Sequence, residues 1–336
     1  MGYGYVPITV TNNESSATST NFQQLVTVDL SYYSSFLNAD LSNTFFSSDT
    51  AGSTVLNSWL ESGNTYPFTS VNFWVVLPNG IAANSSTTIY LQVDLANANH
   101  FNTTTTGEAP QLSSTYAEYD DGANVFNFYD NFAGTSLNTS KWSSNLGSGG
   151  TITVNNGLTI SSTTNYDTFV QSVNTYSNPQ IVESYITAST PTTNYERVAI
   201  FTGTGSTTNE NIVSAGYYYS NSYVNGHVWE IGYPSGGDRI STTTSLSGIV
   251  GGVWVASGNE QLFYNYQNII SWTDTSQTFG STYIGLDVAG VSGGYSATFQ
   301  WVRTRAYPPN GVMPSISTSN PVNFPYINTS TNEDLF

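Results

Sequence analysis

An all-β fold follows from three features of this 336-residue chain. Apolar and polar side chains alternate with a period of two. Short β-branched and aromatic runs recur between clusters of Gly, Asn, Ser and Thr, and no stretch carries a convincing 3.6-residue periodicity. Together these describe antiparallel sandwiches. In the first third, strands are expected at residues 6–11, 24–30, 71–77 and 87–95. In the last of these, Ile89, Leu91 and Val93 alternate with Tyr90, Gln92 and Asp94, which assigns the first three to a core face. The alternation lapses over residues 112–124, through Tyr116-Ala-Glu-Tyr-Asp-Asp-Gly122, and a domain boundary is placed there. Strand-like runs resume at 125–132, 152–160, 169–173, 181–187, 198–202, 212–219, 228–233, 250–255, 261–266, 283–288 and 297–303, the rhythm of a sandwich or jelly roll. Beyond Asn310, Pro314, Pro321 and Pro325 exclude one continuous central strand and predict an extended tail or edge-lying arm. The expected organisation is two β-sandwich domains in series, at 1–115 and 124–309, with a linker at 116–123 and a C-terminal tail at 310–336.

Only 8% of the residues are charged, 22 Asp and Glu against five Lys and Arg, giving a formal charge of −17. An ordinary soluble domain carries roughly 25%, so solubility here rests on hydroxyls, amides and phenols, whose state barely changes with pH. Carboxylates titrate near pH 4, which makes the composition compatible with acid surroundings and points to an extracellular setting. Phosphate binding needs clustered Lys and Arg; only Arg303 and Arg305 lie close together, so nucleic acid is not an expected partner. A basic membrane-surface helix is excluded on the same ground. Cysteine is absent, so disulfides and thiolate metal sites are excluded. No apolar run reaches the ~18 residues of a membrane span. The opening Met1-Gly-Tyr-Gly-Tyr-Val-Pro-Ile-Thr-Val10 shows no basic stretch followed by an apolar core, which suggests a processed start or another way out of the cell.

Two resemblances cover most of the chain. The run Tyr5-Val-Pro-Ile-Thr-Val-Thr-Asn12, the Phe45-Phe46-Ser-Ser-Asp49 stretch, Trp59-Leu60-Glu61 and Phe73-Trp74-Val75-Val76-Leu77-Pro78 together resemble an archaeal surface-protein domain of unknown function, over about the first 95 residues. The arginine usual near its start is missing here. Phe128-Tyr-Asp130-Asn-Phe132, followed by Leu137 and Trp142, is similar to the opening of concanavalin-A-like lectin/glucanase sandwiches. Val154-Asn-Asn156-Gly157-Leu158 resembles their first β-turn, and Trp301-Val302-Arg303 with Arg305 resembles their closing strand. This second resemblance implies a concanavalin-like jelly roll over residues 124–310.

Glucanases of this fold carry their carboxylates on one strand as Glu-x-Asp-x-x-Glu, so that alternate side chains share a face. The one Glu-x-Asp here, Glu118-Tyr-Asp120, lies in the expected linker with Ala123 in place of the third acid. No enzyme is therefore expected. Glu183 and the Glu196-Arg197 pair are the acids best placed inside strands, read as outward-facing or paired with Arg. Asp120, Asp121 and Asp130 could offer oxygens to Ca²⁺, but their spacing matches no dedicated loop, and no metal or cofactor is expected. His100 and His227 are too few and too far apart in sequence for a metal site or triad. Tyr217, Tyr219, Tyr223 and Trp229, with Tyr218 between the first two, form the aromatic cluster best suited to stacking on a glycan or a partner. Asn-x-Ser/Thr sequons fall at Asn13, Asn84, Asn102, Asn138 and Asn328, most of them at expected turns.

These features point to a non-enzymatic structural or adhesive subunit on an archaeal cell-surface filament or virus particle, whose partners are copies of itself or other surface proteins. The alternative is a lectin-like module that reads surface glycans; a glycoside hydrolase ranks below both. Open sheet edges are templates for another strand. Tyr3–Thr11 and Val322–Ile327 are the candidate strand donors, against the simpler expectation that each docks on its own domain.

Overall fold

The computed structural model describes residues 2–164, 167–189, 197–203, 212–220, 223–231, 237–243, 247–255, 259–273, 280–290 and 294–325. At 197, 201–203, 212–243, 259, 270 and 272 this description extends to the backbone of the strands alone. The chain divides into two compact units, Met1–Phe126 with Pro308–Phe336, and Asn127–Tyr307. Both are built of β-strands.

The first unit contains β1 (Gly4–Asn12), β2 (Phe22–Val28), β3 (Thr44–Ser47), β4 (Val55–Leu56), β5 (Ser58–Ser62), β6 (Val71–Leu77), β7 (Ser85–Val93) and β8 (Thr106–Glu108). The second contains β9 (Phe128–Asp130), β10 (Trp142–Asn145), β11 (Gly150–Val154), β12 (Leu158–Ser162), β13 (Thr168–Ser172), β14 (Tyr176–Ser177), β15 (Gln180–Ala188) and β16 (Arg197–Gly203). It continues through β17 (Ile212–Ser220), β18 (Tyr223–Ile231), β19 (Gly237–Thr243), β20 (Ser247–Val255), β21 (Asn259–Tyr264), β22 (Gln267–Thr273), β23 (Ser281–Ala289) and β24 (Tyr295–Ala306). The last strand, β25 (Ser315–Thr318), belongs to the first unit again.

In the first unit one sheet runs β25-β1-β7-β3-β4 and the other β2-β6-β5-β8. Burial along β1 alternates strictly, with Val6, Ile8 and Val10 inside, because side chains of a strand point to opposite faces in turn. Ile89, Leu91 and Val93 of β7 are buried as their alternation predicts. Phe46 of one sheet meets Phe73 of the other edge-to-face, with centroids 5.2 Å apart, so the two sheets share a core.

Two sequence expectations change here. Residues 116–123 are folded into the first unit: the backbone N–H of Glu108 donates to Tyr119 O at 3.0 Å and the indole of Trp59 donates to Asp120 Oδ1 at 2.8 Å. Acidic, aperiodic sequence reads as a linker, yet its carboxylate serves as an acceptor. Residues 310–325 take the edge-lying form of the expected tail and pair along β1. Pro314 and Pro321 bracket the four-residue β25 instead of interrupting it, leaving Ser-Ile-Ser-Thr with the N–H groups that a ladder needs. The second unit consequently interrupts the first in sequence, and the two are not in series.

The second unit is a two-sheet sandwich. Among the described residues, one eight-stranded sheet runs β10-β13-β23-β16-β17-β18-β19 with β14 on β23, and the other runs β11-β12-β24-β15-β20-β21-β22 with β9 on β24. Val170, Val198, Ile200 and Leu286 of the first sheet pack with Leu158, Val182, Ile186, Trp254 and Phe299 of the second in one core. The opening motif acts as a staple. Trp142, 1% exposed, stacks on Phe128 and Phe132 and donates its indole N–H to Asp130 Oδ2 at 2.5 Å. Lys141 donates to Tyr129 O at 2.8 Å and lies 3.7 Å from the same carboxylate. The expected single strand at 152–160 is a hairpin, because Asn156 (φ 52°) and Gly157 (φ 128°) turn the chain between β11 and β12. That turn is clipped to the opening loop through Asn156 Oδ1, which accepts from Gly134 N at 3.1 Å.

Asp130→Ala leaves a buried indole N–H without its acceptor and is expected to destabilise the second unit by about 2 kcal/mol, with Asp130→Asn costing less because an acceptor remains. Chemical denaturation followed by tryptophan fluorescence checks both.

Candidate functional site

Cross-strand register decides which residues of the second unit share a face. Val198, Ile200 and Leu286 are in the core, so Ala199 and Asp287, which alternate with them, belong to the other face of that sheet. One row on that face runs Phe169, Asp287, Ala199, Gly216, His227 across β13, β23, β16, β17 and β18. Two residues along β17, Ser214 stands opposite Trp229. Within the row two of the smallest residues, Ala199 and Gly216, separate an acid from a histidine position.

The aromatic cluster expected from sequence divides on this register. Tyr217 stands opposite Val198, so Tyr217 and Tyr219 occupy core-side positions, whereas Trp229 and Tyr223 fall in step with His227 on the other face. The side chains of all four lie outside the described residues. Asp287, 1% exposed, was missed by the sequence reading. Its signal was a carboxylate in an otherwise apolar strand, in the alternate positions to Ile284, Leu286 and Val288.

On the second sheet of this unit Glu183 is 1% exposed and holds two guanidinium groups. Arg303 Nε donates to Glu183 Oε2 at 2.9 Å, and Arg305 donates to Oε1 through Nε at 2.9 Å and Nη2 at 2.7 Å. Arg303 also donates to the Tyr266 hydroxyl at 3.0 Å and lies 4.4 Å over the Trp301 ring. Antiparallel pairing sets Glu183 opposite Arg303, and Gly251 on the other side leaves room, since a Cβ there would press on the glutamate. Burial alone would raise the Glu183 pKa; the charges of Arg305 and Arg303 and their hydrogen bonds outweigh it and hold the group below its usual 4.5. A carboxylate engaged in this way is a structural anion, not a general acid. Glu196 lies outside the described residues.

The first unit carries acids under the opposite influence. Asp121 is 1% exposed, and neither carboxylate oxygen has a hydrogen-bond partner among the described residues. Burial pushes its pKa well above the usual 3.8 and the neighbouring Asp120 adds to the rise, while its own backbone N–H opposes it. Burial likewise raises Glu108, opposed by a 2.6 Å hydrogen bond from the Ser113 hydroxyl and reinforced by Asp40, Asp120 and Glu118. Gly107 is required here, because a Cβ would collide with Asp121 Oδ1 and Tyr119 O. Among the described residues no three His, Asp or Glu side chains gather as a metal site would need. Asp130 accepts from Trp142, and His100 pairs with Asp94 at 3.0 Å while stacking on Phe45. A shallow depression of about 460 Å³ in the same unit is lined by Asn38, Asp40, Ser42, Asn64 and Asn97, groups suited to a hydroxylated ligand. Among the described residues no helix is long and apolar enough to cross a membrane.

No protein-family model matches the chain. Over 338 aligned positions it is 32% identical to a protein of Sulfolobus islandicus rod-shaped virus 1 that is called uncharacterized protein 562. The alignment takes in 92% of this chain and 58% of that protein, so this chain spans less than two thirds of its relative's length. Solved structures with a similar sandwich include a Bacillus licheniformis β-glucanase (15% identity, 53% of this chain and 97% of that one, TM-score 0.41). The endo-β-1,3-glucanase of Pyrococcus furiosus matches at 14% identity over 54% of this chain and 94% of its own, with a TM-score of 0.43. A Mycobacterium tuberculosis antigen described as a pseudo β-1,3-glucanase matches at 12% identity over 54% of this chain and 98% of its own, with a TM-score of 0.41. At that degree of likeness no residue role transfers from them to this chain.

The sequons differ in availability. Asn13, Asn84 and Asn138 are exposed, and Asn84 N donates to Glu14 O at 3.0 Å, which sets the first two side by side at one end of their sheet. Asn102 has its amide occupied instead: it donates to His100 O at 2.8 Å, while its Oδ1 accepts from Thr104 N and Thr105 N. Asn328 lies outside the described residues. Intact-glycopeptide mass spectrometry of the native protein is expected to find glycans at Asn13, Asn84 or Asn138 and a bare Asn102.

The raised acids give the first unit a distinct pH response. A group whose pKa rises on folding stabilises the fold at low pH and loses that contribution as pH climbs through the folded value. Asp29, Asp94 and Asp49, the last held down to about 2, titrate lower, so their contributions are constant from pH 5 to 7. Stability of the first unit is therefore expected to fall as pH climbs from the ordinary carboxylate range toward the raised values, at up to about 1.4 kcal/mol per pH unit for each raised group. Asp121→Asn should flatten the slope, as read from denaturant midpoints at pH 5 and pH 7.

Proposed function

We propose that this chain is a non-enzymatic structural or adhesive subunit displayed on the surface of an archaeal virus particle. The observation that carries the reading is the employment of its carboxylates. Glu183 is held by Arg303 and Arg305, while Asp120, Glu61 and Asp130 accept the indole N–H groups of Trp59, Trp74 and Trp142. Acids tied to fixed structural donors serve a scaffold, whereas a retaining glycosidase needs two carboxyls facing a bond about 5–5.5 Å apart. The likeness to a rod-shaped virus protein over 92% of the chain supports the viral setting. The nearly uncharged composition suits a surface that must keep its character as pH changes.

A second reading is favoured by one observation, the register that sets Trp229 and Tyr223 on the sheet face shared with Ala199 and Gly216. An aromatic beside a floor of small residues is the arrangement on which a sugar ring stacks. In this reading the second unit is the adhesive surface and neutral glycans are its ligands.

Gold-labelled antibody against the chain is expected to decorate purified virions of its source along their surface, and labelling confined to a soluble intracellular fraction would reject the structural reading. On a glycan array, saturable binding lost in Trp229→Ala supports the adhesive surface. New reducing ends released from β-glucans by the purified protein would overturn the non-enzymatic reading.

A further inference from the structure

The two candidate strand donors have different standing in the structure. β1 is an interior strand: it pairs with β7 from Gly4↔Val93 to Asn12↔Ser85, and Ile8 and Val10 are fully buried. Removing it would open the core of the first unit, so it cannot be lent to a neighbour. Its other edge is covered by residues 315–325. β25 pairs there from Ile8↔Thr318 to Thr11↔Ser315, Ser319 N donates to Pro7 O at 2.9 Å, and Tyr5 and Val322 exchange two backbone bonds of 3.1 and 2.9 Å.

This strap is held almost entirely by its backbone. None of residues 315–325 is buried, and only Ile316, Val322 and Phe324 are even partly so. Phe324 rests against Tyr33 and Phe36, with centroids 5.0 and 5.6 Å away. Just before the strap the chain is pinned, because Pro314 is buried and its carbonyl accepts from Gln24 Nε2 at 3.0 Å. A strap without core side chains, leaving a fixed hinge at Pro314, can detach while the core stays closed. Eleven residues extend roughly 35 Å, enough to reach beyond the unit that carries them.

We infer that the β1 edge is an assembly slot, and that the strap of a second copy of this chain occupies it by strand exchange. The occupant is identified by complementarity, since an identical strap makes in a neighbour's slot every bond it makes at home. No charged residue occurs in β1 or in residues 315–325, so the Lys and Glu that commonly guard sheet edges are absent from both partners. Each copy then offers one slot and one strap, which closes as a reciprocal dimer or continues head to tail. The inference concerns the isolated protein and stands apart from whether a virion carries it.

The absence of native cysteine makes the test clean. Thr9 and Ser317 face each other across β1 and β25, within the span a disulfide bridges, and both are at least partly exposed. The double variant Thr9→Cys/Ser317→Cys should form the link within one chain, and failure to do so would already overturn the pairing. In the decisive arm, isotopically heavy Thr9→Cys and light Ser317→Cys full-length proteins are mixed, warmed, cooled and oxidised with diamide. Heavy-to-light dimers linked between positions 9 and 317, with a yield that rises with protein concentration, are expected. Products linked only 9 to 9 or 317 to 317, or monomers alone at every concentration, would overturn strand exchange.

Discussion

Carboxylates with few cations to pair with must find neutral donors, and both units are organised around where they find them. Three tryptophans buried to 1% or less, Trp59, Trp74 and Trp142, each give an indole N–H to Asp or Glu at 2.5 to 3.0 Å. A buried indole without an acceptor loses the full cost of desolvating its N–H, of the order of 1–3 kcal/mol. Asp120, Glu61 and Asp130 are in this way interior fittings. Asp49 shows the same use at the surface, accepting backbone N–H groups of Ala51, Ser53 and Thr54 to shape a turn. Glu183 takes cations instead, two of the chain's five.

How much of this the sequence disclosed depends on how far apart the partners lie. Period-two alternation is local, so the core face of β7 was legible residue by residue. The glycine turn at Asn156-Gly157 and the Asp130…Trp142 staple were legible as motifs, twelve positions apart in the second case. Pairings over long separations were not. Glu183 meets Arg303 across 120 positions and Gln24 meets Pro314 across 290, and nothing in the intervening chain marks them. Short polar strands escaped for a different reason: Ser315–Thr318 and Gly237–Thr243 have no apolar face to alternate. The aromatic cluster divides by parity, since Tyr217 and Trp229 look adjacent in composition but take positions on opposite faces once β17 and β18 are in register.

The return of the chain to its first sheet bears on how open edges are managed. Sheets with exposed edges usually guard them with lysine, proline, bulges or a covering segment. With one lysine in the whole chain, Lys141, and that one donating to Tyr129 O, lysine is not available for this purpose. Covering is, and the strap does it with serines and threonines that contribute a ladder and little burial. A cover held mainly by backbone hydrogen bonds, with Phe324 its chief side-chain contact, is a reversible one. The property that keeps the monomer's edge closed is thus the property that makes the edge available to a neighbour.

Acid acts on the two units with opposite sign. Asp121 and Glu108 are favoured in their buried positions when protonated, so the first unit gains stability as pH falls toward their ordinary range and has nothing further to gain below it. Glu183 must be ionised to hold Arg303 and Arg305, and its lowered pKa keeps it so until the pH drops beneath 4.5. Once Glu183 is protonated the second unit is left with two buried guanidinium groups and a neutral partner, a loss that in other buried pairs amounts to about 3–5 kcal/mol when one member is removed. Rising pH therefore draws stability from the first unit through its buried acids, and strong acid draws it from the second through its ion cluster.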